Sequence, residues 1–253
     1  MQALMLAAGV ARRLYGGEGD TLPKALLQFD GKTLLQRHIE VLTRLGVSGL
    51  TVVVGHQRDI IEAELARVAP KGFAKTVFNP LYRETPIISL ATGRDTMRSG
   101  EPVLFMDADV LYHDDLMECL IARAGDTCIL MDRDFEPGAE PVKVCVRDGV
   151  LVDFGKKITE THDTVGEWPG FMLMSPDIAG RIAERADQMV AHDPPDYTYE
   201  EAMCFVLKAS PPGTFGYEDI TGIPWIEIDF PEDLERATNE IIRKITAYNP
   251  AGD

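Results

Sequence analysis

Short apolar runs alternate along this chain with helix-forming stretches, and that alternation limits the available folds more than any other feature. QALMLAA (2–8), LTVVV (50–54) and PVLFMD (102–107) carry almost no polar interruption, the pattern of strands buried on both faces. Between them, KTLLQRHIEVLTRLG (32–46) sets Leu35, Ile39, Leu42 and Leu45 at helical spacing, with Gly46 as a stop. RDIIEAELARVA (58–69) and SLATGRDTM (89–97) read as further helices, and AKTVFN (74–79) as another strand. Such a rhythm predicts an α/β fold with a mostly parallel sheet covered on both faces.

After about residue 125 the rhythm changes. TCILMD, PVKVCVRDG, VLVDF and EWPGFMLMS read as strands, and RDG between the second and third is a hairpin signal. PDIAGRIAERADQMV is a helix that begins at a proline, and WIEIDFPEDLERATNEIIRKITAY is a strand, a turn and a long terminal helix. Nothing between the halves resembles a linker, so residues 1–253 are expected to form one domain sharing a sheet. In an open α/β sheet the ligand sits beyond the carboxyl ends of the strands. The loops after residues 8, 54, 79 and 107 are therefore expected to meet.

The formal net charge of -16 argues against a nucleic-acid surface. A small anion would need a local cluster of cations, and Arg12, Arg13, Lys24 and Lys32 are the first such cluster. Cys119, Cys128, Cys145 and Cys204 form no CxxC pair and read as reduced thiols. With no apolar run of membrane-spanning length and no signal-peptide pattern, a cytoplasmic protein without membrane insertion is expected. Oligomeric state is left open, a homodimer included.

The cations sit in LMLAAGVARRLYGGEGDTLPKALLQFDGKTLL (4–35), a strand that breaks at Gly9 into a basic, glycine-rich loop. Glycine lets backbone N–H groups approach phosphate oxygens, Arg13 can donate a fork of hydrogen bonds, and Lys24 behind Pro23 presents a compact charge. The stretch has neither GxGxxG nor GxxxxGK[ST], which disfavours dinucleotide and Walker-type folds. An ordinary surface turn with lysines is the alternative.

LAAGVARRL…LPKALLQFDGKTLLQRHIEVLTRLG resembles the opening signature of the nucleotidyltransferases that make nucleotide-diphospho-sugars and CDP-alcohols. The signature runs L-A-A-G, two or three residues, Arg-Leu, a variable loop, then P-K-x-L and G-x-x-L. The resemblance implies a three-layer, Rossmann-like mixed sheet of GT-A-like nucleotide-diphospho-sugar transferase type. It makes residues up to about 125 a nucleotide-binding half and the remainder an acceptor-binding half. It also implies that Leu6, Ala7, Ala8, Gly9 and Val10 hold the triphosphate, with Arg13 and Lys24 as the catalytic cations. The family's usual glycine two residues after Gly9 is Ala11 here.

FMDADVLYHDD places Asp107 and Asp109 just past an apolar strand, where two carboxylates can bind Mg²⁺. The alternative is an acidic loop with Asp114 as helix N-cap. The resemblance assigns the metal to Asp109 and leaves Asp107 an auxiliary place in the nucleotide site. WIEIDFPEDLERA is similar to the E-I-D segment of phosphocholine-type cytidylyltransferases, which implies Asp229 as the second metal ligand. Glu227 lies on the same strand face as Asp229 and can support it. On its own, Asp229 would read as a helix N-cap.

GHQRD (55–59) resembles the family's loop near the nucleobase, with Gly55 reading the base edge and His56 either a contact or a solvent histidine. NPLYRETPIISLATG resembles the segment that puts Thr85 and Ser89 before a pyrimidine, though Ser89 could equally cap a helix. In DFGKKITE the resemblance places Lys156 or Lys157 at the acceptor phosphate, and in VGEWPGFMLMS it places Glu167 and Gly170 in the acceptor pocket. Trp225, with Trp168, Tyr199 and Glu200, would complete a lining suited to a cationic amine, although Trp and Tyr are more often core residues. The expected partners are CTP and a small phosphorylated acceptor. A sugar-1-phosphate nucleotidyltransferase using another NTP and a non-catalytic nucleotide-binding regulator are the alternatives.

Overall fold

The structure, a computed structural model, describes residues 1–17, 21–138, 140–192 and 197–249. Part of the glycine-rich loop, residues 18–20, thus lies outside the described residues. The apolar runs lie side by side in one seven-stranded sheet. Numbered within this sheet in chain order, β1 is Gln2–Ala7, β2 Gly49–Val54, β3 Ala74–Phe78, β4 Val103–Asp107, β5 Thr127–Met131, β6 Phe171–Met174 and β7 Phe215–Asp219. Their spatial order is β7-β5-β6-β4-β1-β2-β3. The strands run parallel except β6, which is antiparallel to both of its neighbours.

Alternate residues of each central strand enter opposite cores, which explains why the runs are apolar at every position. Leu4, Val53 and Phe105 pack against the helices Pro86–Thr92, Pro176–Ala191 and Tyr199–Lys208 on one face. Met5, Val52 and Leu104 pack against Leu34–Arg44, Arg58–Val68 and Asp114–Ile121 on the other. All the named strand residues are at most 0% exposed, so polar substitution at any of them would bury an unsatisfied group.

The second half departs from expectation in three places. EWPGFMLMS is two strands: Thr164–Glu167 ends in a small antiparallel sheet, and β6 starts only at Phe171, after Gly170 turns with φ +88°. Helix Tyr199–Lys208 and edge strand β7 lack clear periodicity; the helix is started by a capping box of Thr198 and Glu201. β7 packs only partly buried, so its sequence FGYED carries no apolar run. The RDG signal holds: Asp148 and Gly149 take φ +51° and +76° between Lys143–Arg147 and Val150–Gly155. All four cysteines are free. Among the described residues no helix is long and apolar enough to cross a membrane.

Asp153 ties the small sheet to the rest. Its buried carboxylate accepts from Thr159 N at 2.7 Å and Glu160 N at 2.9 Å, and pairs with Lys208 Nζ at 2.8 Å. Burial works against its ionisation, but Lys208 and these backbone donors hold the carboxyl far below the usual aspartate range. A folded pKa below the unfolded one adds stability that is complete above the unfolded value near 3.8 and fades as pH falls below it. Asp153→Ala is expected to cost about 2–3 kcal/mol in urea unfolding at pH 7, less than a fully buried broken pair because Lys208 keeps access to water. That difference should shrink below about pH 3; a pH-independent difference would refute the ion-pair account.

Candidate active site

At the carboxyl edge of the sheet the turns after β1 and β4 open onto a cavity of about 440 Å³. Gly55, which follows β2, packs beneath it: a Cβ there would lie 2.4 Å from Tyr82 Cβ and 2.8 Å from the Ala8 carbonyl oxygen. The turn after β1 is shaped by Ala11, which takes φ +57° and ψ +38° before the helical turn Arg12–Tyr15. That is the left-handed conformation a glycine would adopt freely, so alanine keeps the turn's shape at some steric cost.

Lys24 begins a 3₁₀ turn behind Pro23, and its ammonium lies between two carboxylates. Nζ is 2.9 Å from Asp109 Oδ2 and 2.5 Å from Asp229 Oδ1. Arg13 reaches the other oxygen of Asp229 at 2.7 Å, and its guanidinium lies 5.3 Å from the centre of the Phe230 ring. Burial alone would lower the Lys24 pKa, but Asp109 and Asp229 more than offset it and keep the ammonium charged.

Asp109 and Asp229 are far apart in sequence and meet through backbone pairing. Strand Trp225–Glu227 runs antiparallel to Val110–Tyr112, with Glu227 opposite Val110, and Ile228 N donates to the Asp109 carbonyl at 3.0 Å. Asp229 is not a helix cap. Phe230 holds the cap position, and Asp233 in the first turn accepts from Asp229 N at 3.0 Å and Phe230 N at 2.8 Å, which leaves the Asp229 side chain to the cavity. Asp114 is no cap either: His113 Nδ1 accepts from Asp115 N at 3.2 Å, and Asp114 pairs with Arg44.

Carboxylate oxygens of Asp109, Glu227 and Asp229 lie within 4.8 Å of one another. An all-oxygen, anionic donor set of this kind fits a hard divalent cation. Glu227 is half-buried among them, and desolvation followed by the charges of Asp109 and Asp229 pushes its carboxyl well above the usual range. Asp107, which is buried, is raised by burial and then by Asp109. It accepts from the Tyr199 hydroxyl at 2.9 Å, and Gly170 stands against it, where a Cβ would be 2.8 Å from Asp107 Oδ2.

Of the residues expected in the site, Leu6, Ala7, Ala8, Gly9, Val10, Arg13, Lys24, Ser89, Asp107, Asp109 and Asp229 all line the cavity. Ser89 lies inside helix Pro86–Thr92 rather than capping it, and accepts from Asn79 Nδ2 at 3.0 Å. Thr85 occupies the cap position, and its hydroxyl donates to the Tyr197 carbonyl. His56 is no solvent histidine: it is buried against Thr21. Lys32 is exposed and paired with Glu40, apart from the other cations.

Of the residues expected at the acceptor, Tyr199 lines this cavity, whereas Lys156, Lys157, Glu167, Trp168, Gly170, Glu200 and Trp225 do not. Lys156 and Lys157 follow strand Val150–Gly155, and Lys156 Nζ lies 3.1 Å from Glu140 Oε2, the oxygen that Arg13 also contacts at 3.1 Å. Glu167 exchanges backbone hydrogen bonds with Asp132, and Trp225 Nε1 donates to Asp132 at 2.7 Å. Burial and the neighbouring Asp132 push Glu167 up to about 7. Trp168 is a core residue, stacked on Phe105 with its Nε1 bonded to the Phe171 carbonyl. Glu200 is buried, with Oε2 lacking a hydrogen-bond partner. Tyr82, Arg83 and Glu84 line the cavity and had no role in the sequence reading; only the N-P-x-Y segment pointed toward them.

A model of the MobA-like NTP transferase domain matches residues 3–162. Over 93% of its length the chain is 22% identical to the CTP:phosphoglutamine cytidylyltransferase of Campylobacter jejuni, covering 98% of that protein. Over 97% of its length it is 43% identical to the UTP–glucose-1-phosphate uridylyltransferase AglF of Haloferax volcanii, covering 98% of it. Other curated relatives are longer, and the chain spans about half of their length. The solved structure of the inositol-1-phosphate CTP transferase from T. maritima superposes with a TM-score of 0.73 at 20% identity, over 97% of this chain and 96% of that one. Its fold is therefore the nucleotide-diphospho-sugar transferase fold expected from the opening signature. With the glycine turn, the paired cations and the carboxylate cluster on one sheet edge, this chain belongs to the MobA-like NTP transferase family and is a nucleotidyltransferase.

Proposed function

We propose that this protein transfers a cytidylyl group from CTP to a small phosphomonoester or phosphonate, giving a CDP-alcohol or its phosphonate analogue and pyrophosphate. The observation that carries the reading is the convergence of Lys24 and Arg13 with Asp109 and Asp229 beside the Ala8–Val10 turn. In it, the chain works as one domain, with Mg²⁺ held by Asp109 and Asp229 and supported by Glu227. When bound, that ion supplies charge neutralisation to the triphosphate.

The backbone of residues 6–10 then cradles the phosphates, while Arg13 and Lys24 hydrogen-bond their oxygens. An acceptor oxygen, already anionic, attacks the α-phosphorus in line. The bond from that phosphorus to the bridging oxygen breaks, and pyrophosphate leaves with the electron pair. No general base is needed, so catalysis is positioning and charge stabilisation. Ser89, Gly55 and Thr85 stand on the side of the base, and Lys156 or Lys157, Glu167, Gly170 and Trp225 on that of the acceptor.

A second reading keeps the chemistry and exchanges the substrates for UTP and a sugar-1-phosphate; the 43% identity to a glucose-1-phosphate uridylyltransferase favours it. A panel of NTPs against phosphoalcohols, phosphonates and sugar-1-phosphates, read by pyrophosphate release, separates the two. Release is expected with CTP and an alcohol phosphate or phosphonate. Release confined to UTP with sugar-1-phosphates would replace the first reading by the second.

A further inference from the structure

The Lys24 ammonium stands among the oxygens that suit a divalent cation. It contacts Asp109 at 2.9 Å and Asp229 at 2.5 Å, while Arg13 holds the remaining oxygen of Asp229. Its side chain is only 15% exposed, so the pairing is no loose surface contact. We propose that Lys24 competes with the divalent cation for Asp109 and Asp229, and that nucleotide phosphates admit the metal by drawing Lys24 away. This inference rests on the assignment of those two carboxylates to a metal made above.

A small divalent ion binds carboxylate oxygen at about 2.1 Å, and an ammonium hydrogen-bonds it at about 2.8 Å. An ion bridging Asp109 and Asp229 would therefore stand within a few ångströms of Nζ, and two cations so placed repel strongly in a partly buried site. Lysine carries its charge on a flexible four-carbon stem. Its ammonium can leave the carboxylates for a phosphate oxygen on the Ala8–Val10 turn, which lines the same cavity. A ligand that takes up Lys24 thereby unmasks the anionic trio, and the metal in turn frees Lys24 for the phosphates. Each favours the other by the same factor, as linkage requires.

The test is Mn²⁺ binding without nucleotide, read by electron paramagnetic resonance. Lys24→Met keeps the stem and removes the charge; Lys24→Gln serves if the methionine variant melts early. Lys32→Met removes the same charge from a residue paired elsewhere with Glu40. The Lys24 variant is expected to bind Mn²⁺ about 5- to 150-fold more tightly than the unaltered chain, the usual span of a coupling between sites. Lys32→Met should change little, and adding Asp229→Asn to Lys24→Met should abolish the gain. If Lys24→Met binds Mn²⁺ no more tightly than the unaltered chain, and Asp109→Asn abolishes that binding, competition by lysine is refuted and the metal site stands. If no variant binds Mn²⁺, with CTP or without, the metal assignment fails and the inference with it.

Discussion

Lys24→Ala is expected to lower kcat for pyrophosphate release at least about a hundredfold while the fold survives. The estimate follows from removing one preorganised cation from a site partly shielded from water, where such a group contributes about 3–4 kcal/mol to the transition state. The fold should persist because Asp109 and Asp229 are 21% and 16% exposed on their side chains and open onto the cavity, where water or a metal ion can take up their charge. Steady-state rates at saturating Mg²⁺ and CTP, with circular dichroism as the folding control, provide the check. An alanine variant as active as the parent would remove Lys24 from the mechanism.

The second large effect is expected from Asp229→Asn. This carboxylate is shared: one oxygen faces Lys24, the other Arg13, and the residue belongs to the proposed metal cluster. Neutralising it weakens the metal and releases two cations from their positions, so a loss of about 10²–10³ in kcat is predicted, with a raised Mg²⁺ requirement. The stability cost should be small, since the side chain of Asp233 and not that of Asp229 accepts the backbone N–H groups that lead into the following helix. Glu232→Gln, an exposed neighbour that touches none of these groups, should leave the rate within about twofold. Equal effects at residues 229 and 232 would point to a structural disturbance of the turn and overturn the assignment.

Much of the first half was legible because its signals are local. A strand buried on both faces writes itself as an unbroken apolar run, and a phosphate turn needs particular residues within a few positions of one another. The Ala11 departure shows the limit of this logic: the residue changed but the backbone kept its left-handed turn. The second half was harder. Helix Tyr199–Lys208 supplies the Tyr199 hydroxyl to Asp107, yet its periodicity is weak because Glu200 is buried and Phe205 exposed. The Lys156 and Lys157 turn was visible as two adjacent cations. That Lys156 shares Glu140 with Arg13 depends on how the small sheet docks, which no local pattern encodes.

The amino-acid order alone determined the α/β class, the loop that bears Arg13 and Lys24, and the acidic ends of two apolar runs, since strand periodicity, turn propensity and charge are properties of neighbouring residues. Only the tertiary structure decided which carboxylates face the cations. Asp114 and Asp229 carry similar local signals, a carboxylate at the entrance to a helix, but one pairs with Arg44 outside and the other enters the cavity. The difference lies in the antiparallel pairing of Trp225–Glu227 with Val110–Tyr112, a contact between distant segments whose register follows from how both pack on the finished sheet.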